Sequence, residues 1–182
     1  MLERARRQNG GSSVTWVEAD ARTIRLGRRF DLVLMTGHAF QCFLNDADMR
    51  AVCETIAAHL APGGLFIFDS RNPTREEWKE WGPEASRRHF DLPPYGHIEA
   101  WNDARLDPKT GIVSYETFYR NEAGRLWSAS ARIRFAQREL IAACLDQAGL
   151  RVDHWLGDWQ GSAWTVRSDE IIPIGRCADE TA

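Results

Sequence analysis

Two short stretches of this chain place reactive side chains directly after apolar runs. Thr36-Gly37-His38 follows one run, and Asp69-Ser70-Arg71-Asn72 follows another. A neutral imidazole takes up a proton near pH 7, so His38 reads as a general base or a substrate contact; the competing reading is an imidazole bonded to a loop carbonyl. Gly37 allows backbone to come close to a ligand. Arg71 offers a planar cation to a carboxylate or phosphate, or pins its own loop to Asp69. Asp20-Ala21 closes a third, shorter run and offers a carboxylate and a backbone N–H, or simply caps a turn. Eight tryptophans are present, and Trp101, Trp127, Trp155, Trp159 and Trp164 fall in the second half. They suit either sheet packing or an aromatic-walled pocket.

Other classes of chemistry are disfavoured. Cys42, Cys53, Cys144 and Cys177 lie far apart with no CxxC spacing, which argues against a zinc or other metal site and fits reduced thiols in a cytoplasmic chain. The net charge is −3 with both signs dispersed, so no basic stripe invites nucleic acid. No apolar run approaches the roughly 18–20 residues that span a bilayer. No apolar stretch follows the basic opening residues, so no secretory leader is expected.

The elements that must position these residues follow from periodicity. Leu2 to Gln8 reads as the end of a helix stopped by Asn9-Gly10-Gly11. Val14 to Val17 is β-branched and aromatic, a predicted short strand. Phe30 to Met35 and Leu65 to Phe68 are runs typical of strands buried on both faces of a parallel sheet. Between them, Asn45 or Asp46 caps a predicted helix with Met49, Val52, Cys53, Ile56 and Leu60 on one face, ended by Pro62-Gly63-Gly64. Thr74 to Glu77 has capping-box spacing and predicts a helix to Trp81. From His97 to Gln137 the text alternates, with turns at 107–111 and 121–124. Val113, Tyr115, Thr117 and Tyr119 share one face; Trp127, Ala129, Ala131, Ile133 and Phe135 share another. Arg138 to Ala148 is helical with Gly149 as its left-handed stop, and two last strands follow, over 151–159 and 170–175. Strands alternating with helices imply a parallel α/β sheet, here with an antiparallel meander inserted.

This order resembles the class I S-adenosylmethionine-dependent methyltransferases, in their small-molecule branch. Four pieces carry the resemblance: Val14 to Ala21 as the family's third strand and its following loop; Phe30-Asp31-Leu32-Val33-Leu34-Met35 as the fourth; His59-Leu60-Ala61-Pro62-Gly63-Gly64 leading into the fifth; and Ala148-Gly149-Leu150 before the closing hairpin. The resemblance implies a Rossmann-like sheet with strand order 3-2-1-4-5-7-6 and a β meander after the fifth strand. One domain is expected, divided into a partial Rossmann core (1–73), a helix and meander forming a roof (74–137), and a final helix and hairpin (138–182).

The resemblance also implies S-adenosyl-L-methionine as cofactor. Asp20 and Ala21 would contact its adenine, and Thr36, Gly37 and His38 its methionine end. The acceptor would meet Phe40, Arg71, Asn72 and Trp159, with Tyr115, Tyr119, Trp127 and Arg134 from the roof. Asp91-Leu92-Pro93-Pro94-Tyr95 is similar to the (D/N)PPY motif of amino-methyltransferases, but it lies after the fifth strand rather than the fourth and reads as a turn. The family's glycine-rich E/D-x-G-x-G-x-G loop is absent from the 182 residues. The opening MLERARR therefore reads as the tail of a crossover helix whose strands lie upstream, and Met1 as an internal methionine or a shortened start. Two functions follow as expectations: methyl transfer to a small-molecule acceptor, weakened or lost without that loop, or a non-enzymatic assembly module that pairs with a second copy through open strand edges.

Overall fold

Residues 2–178 are described by a computed structural model of the chain; Met1, on which the expectation about the start turns, lies outside the described residues, as do residues 179–182. Helix α1 (Leu2–Arg6) is short and exposed. The stretch after it differs from expectation: residues 14–19 form no strand, and Val14 and Val17 are about half exposed. A strand needs a ladder partner for its N–H and C=O groups, and no described residue supplies one there.

The segment is instead laid over the helix that follows strand β1 (Phe30–Met35). That helix, α2 (Asp46–His59), is capped by the Asn45 side chain, which accepts the Asp48 N–H. Its last residue, His59, anchors the segment: Leu26 N–H donates to His59 Nε2 at 2.9 Å, so the ring proton sits on Nδ1 and is donated to Thr55 O at 2.7 Å. The helix stops at His59, before Pro62. Strand β2 (Leu60–Phe68) begins at once, with a register irregularity against β1 where Pro62-Gly63-Gly64 lies. Gly64 could carry no side chain there, because a Cβ would sit 2.8 Å from Phe30 O.

After the two-residue strand β3 (Ser70–Arg71), the predicted helix to Trp81 is replaced by 3-10 turns at Pro73–Arg75 and Glu77–Trp81. Asn72, not Thr74, provides the cap, and Glu76 interrupts the run with φ of 49°. The meander then forms a separate antiparallel sheet of four strands rather than three: β4 (Arg88–Leu92), β5 (Gly96–Asp107), β6 (Ile112–Asn121) and β7 (Leu126–Arg134). Tyr115 pairs with Ala131 and Tyr119 with Trp127, so the two predicted faces are one face. Helix α3 (Arg138–Gln147) ends at Gly149, whose φ is +71°. Strands β8 (Leu150–Leu156) and β9 (Glu170–Cys177) close the main sheet as an antiparallel hairpin.

The main sheet runs β1-β2-β9-β8, with β1 and β2 parallel and β3 paired to the amino end of β9. Phe40, Phe66, Phe68, Leu60, Ile141, Leu145 and Ile171 form its core, each no more than 1% exposed. Burying each such side chain contributes about 1.5–3 kcal/mol. Trp78 and Trp81 pack against Phe135 and Tyr115, plugging the meander onto this core.

Candidate active site

The carboxyl end of β1 turns sharply. Gly37 and His38 both have positive φ, +72° and 58°. For a histidine this conformation costs on the order of 1 kcal/mol, and a buried carboxylate holds it in place. The His38 N–H donates to Asp69 Oδ1 at 2.8 Å, and Asp69 is only 3% exposed. Trp159 Nε1–H donates to the other carboxylate oxygen at 3.4 Å.

Because β9 is antiparallel to β2, its amino end reaches the same sheet edge as the carboxyl ends of β1 and β2. Glu170, the first residue of β9, pairs with Arg71 of β3 and meets the imidazole: His38 Nε2 lies 2.8 Å from Glu170 Oε1 and 4.0 Å from Asp69 Oδ2. Burial pushes the Glu170 carboxyl above its ordinary range, the His38 contact opposes that, and Oε2 is buried with no protein partner.

In front of the imidazole lies a hollow of about 390 Å³ walled by Gly37, His38, Cys42, Trp81, Asn102 and Tyr115, with Arg71 and Glu77 at its side. Arg71 is already engaged. Its Nε pairs with Glu77 at 3.0 Å, its NH1 donates to Gln41 Oε1 at 3.0 Å, and its guanidinium lies over the Trp81 ring. It does not pin its loop to Asp69. Glu77 therefore neutralises the guanidinium, while Asp69 and Glu170 stand beside the imidazole. The surroundings favour a cationic guest over an anionic one. The Asn102 side-chain oxygen on this wall is buried and unpartnered, an acceptor without a donor.

Of the residues singled out by sequence, the structure brings Gly37, His38, Arg71 and Tyr115 to this hollow, with Trp159 behind it on Asp69. Others lie elsewhere. Phe40 stacks on Phe68 at 4.3 Å in the core instead of walling a pocket. Asn72 is buried and its amide donates to Val166 O and Ser168 O, a structural brace. Arg134 reaches Asp46 at 2.6 Å and fastens the meander to α2. Tyr119 and Trp127 line a separate hollow of about 290 Å³ with Leu92, Tyr95 and Ile98. Sequence reasoning missed Glu170. The signal available was an acidic residue opening an antiparallel strand, a position that topology must carry to the parallel strands' carboxyl ends.

A second hollow of about 740 Å³, lined by Asp20, Arg22, Phe43, Asn45 and Asp48, adjoins the first at Cys42, which lines both. Asp20 is held by Arg22, which donates to both carboxylate oxygens; that guanidinium holds the carboxyl down at about 2. Arg22 also pairs with Asp48 at 2.9 Å. Ala21 lies instead on an apolar groove beside β1. A cofactor carrying a sulfonium suits the open turn at Gly37, where a Cβ would meet nothing within 4 Å, and the carboxylates Asp69 and Glu170 behind it. The residues at the end of β1 thus fit the methionine end of S-adenosylmethionine. No group of His, Cys, Asp or Glu among the described residues is arranged to hold a metal ion, and no helix among them is long and apolar enough to cross a membrane.

Comparison with known proteins agrees with this architecture. A family model for a methyltransferase domain matches residues 1–64. The cypemycin N-terminal methyltransferase of a Streptomyces species is 26% identical over 174 residues, covering 96% of this chain and 68% of that protein. Among solved structures, the CcbJ methyltransferase from Streptomyces caelestis superposes with a TM-score of 0.78 at 19% identity, over 97% of this chain and 69% of its own. CalS10 with S-adenosylmethionine bound, an amino pentose methyltransferase from Micromonospora echinaspora, gives 0.62 at 22% identity, over 87% and 63%. Fold, sheet order and the match over residues 1–64 agree, and the chain has the fold of, and is similar in sequence to, S-adenosylmethionine-dependent methyltransferases.

Proposed function

We propose that this protein transfers a methyl group to the nitrogen of a small-molecule amine seated in the hollow before His38. The observation that carries the reading is the acid-rich surround of that hollow, in which Arg71 is neutralised by Glu77 while Asp69 and Glu170 flank the imidazole. The sequence relative's name, an N-terminal methyltransferase, supports an amine acceptor. When bound, S-adenosylmethionine supplies an electrophilic methyl on a positive sulfur. The chain's residues supply the rest. Gly37 leaves the approach open, Trp81 and Tyr115 exclude water, and His38 accepts the proton that an ammonium must lose before its nitrogen is nucleophilic.

The test is cofactor turnover, followed as S-adenosylhomocysteine release, against amines, sugar hydroxyls and phenols. It uses the longest reading frame that contains these residues. Methylation of amines alone is expected; methylation of hydroxyls or phenols with no amine turned over would overturn the reading.

A second reading rests on a different observation. Strand β1 pairs only with β2 among the described residues, and Leu32 and Leu34 are 54% and 53% exposed beside a groove of about 310 Å³. An open apolar edge is a template for a strand from a second copy. On this reading the 182-residue chain is an assembly module that shows concentration-dependent dimers in light scattering and no heat with S-adenosylmethionine in calorimetry. Micromolar cofactor binding by a monomer would sink it.

A further inference from the structure

Resting on the amine-methylation reading, we propose that Glu170 is a positioning residue that fixes the tautomer of His38, holding its proton on Nε2 so that the Nδ1 lone pair receives the proton of the acceptor. Three observations converge. First, Nε2 is 2.8 Å from Glu170 Oε1, a distance at which an ionised carboxylate accepts Nε2–H. Second, Nδ1 has no hydrogen-bond partner among the described residues, and the ring lines the hollow in which the acceptor would sit. Third, the backbone on both sides of the pair is fixed. His38 is held in its left-handed conformation by its N–H on Asp69, and Glu170 by its N–H on Gly157 O and by pairing with β3. A base held by an orienting carboxylate is a recurrent solution for proton transfer, because the carboxylate selects the tautomer and then stabilises the imidazolium.

The proton inventory closes. The acceptor's N–H bond breaks, its electron pair stays on nitrogen, and the proton bonds to Nδ1. The imidazolium keeps Nε2–H on Glu170, with Asp69 Oδ2 4.0 Å away as a second counter-charge. Glu170 never touches the acceptor, since its free oxygen Oε2 is buried. The other ionisable groups near the imidazole are Arg71 and Glu77, which neutralise each other, and Cys42 and Tyr115 across the hollow. The carboxylates at Glu170 and Asp69 therefore dominate the field at the ring.

The experiment is a nitrogen-detected NMR measurement of the His38 tautomer in the chain without cofactor, in the parent and in Glu170→Gln, beside the kinetics of amine methylation. The Gln variant keeps the shape and an oxygen acceptor but removes the charge, and a thermal melt verifies that it folds. The parent should show mainly the Nε2–H tautomer, and Glu170→Gln should lose that preference, with Nδ1–H populated as well. kcat/KM for the amine should fall in step with the Nε2–H fraction. The same tautomer ratio in the two proteins, or an Nδ1–H tautomer in the parent, would overturn the proposal. The NMR readout needs no turnover. A shifted tautomer ratio with no amine methylated by either protein would leave the positioning role standing and remove the function assigned to the site.

Discussion

Strands β1 and β2 are neighbours of similar composition with opposite surroundings. In β2, Phe66 and Phe68 are fully buried between α2, α3 and β9. In β1, which reads just as apolar, Leu32 and Leu34 are more than half exposed. The sequence pattern of a strand buried on both faces records what the strand is built to be covered by, and here one flank of β1 has no cover among the described residues. The reactive turn at Gly37-His38 stands at the boundary between these regimes. One side is locked to Asp69 and Glu170 of the packed half; the other opens on the hollow walled by Cys42, Trp81 and Tyr115.

The largest effect should come from cutting into the packed side. Phe68→Ala removes a ring that stacks on Phe40 and should cost about 3–5 kcal/mol in urea unfolding. Leu34→Ala, a deletion of comparable chemistry one strand away, should cost less than about 1 kcal/mol, because its side chain already meets solvent. Similar losses at the two sites would mean that the β1 flank is covered in solution, by a second copy or by further chain.

A smaller effect with the opposite sign is expected at the boundary. The Glu170 carboxyl is raised by burial in the folded state, so the folded protein holds its proton to higher pH than the unfolded chain does. Stability tied to this group is thus full below its ordinary pKa and falls as pH rises through the raised value. Glu170→Gln should therefore raise Tm at pH 7 by about 2 °C, in the range for a gain on the order of 1 kcal/mol or less in a chain of this size. The gain should vanish near pH 4 in scanning calorimetry. A residue that lowers stability while holding an imidazole in place is what a functional site leaves behind, whereas a purely structural carboxylate would give a loss at neutral pH.

Much of the fold was legible because its runs carry their own periodicity. Asn45 and the spacing of Met49, Val52, Cys53 and Ile56 define α2, and Gly149 ends α3 at the anticipated residue. What was not legible depended on partners. Val14 to Val17 has strand propensity but no ladder to join. Arg88 to Phe90 carries no element in the sequence reading, and Asp91-Leu92 falls in the turn with Pro93-Pro94, yet Arg88–Leu92 pairs along the whole of its length with β5. Thr74 to Glu77 has the letters of a capping box, but Asn72 takes the cap and Arg71 takes Glu77. In the site, residues following β1 and β2 were found because apolar runs end there. Glu170 was not, because its contact with His38 spans 132 positions and follows only from the antiparallel direction of β9.

The smallest effect concerns the far wall of the larger hollow. Asp20 and Arg22 are both solvent-exposed, and the guanidinium holds the Asp20 carboxyl at about 2, below its ordinary 3.8. A depressed carboxylate contributes stability that is complete above 3.8 and lost as pH falls through about 2, and screening by water keeps that contribution slight. Arg22→Ala should therefore leave the neutral-pH melt nearly unchanged while moving the Asp20 midpoint back toward 3.8 in a carbon-detected NMR titration. It also frees Oδ2, while Oδ1 keeps only the backbone N–H of residue 22. If Asp20 serves the adenine amine, the variant should bind S-adenosylmethionine no more weakly than the parent. If the Arg22 bridge to Asp48 is itself what shapes that wall, binding should fall although Asp20 is free. The two outcomes separate a carboxylate held in reserve from an ion pair that forms the wall, on the side of the molecule where sequence pattern and observed cover disagree most.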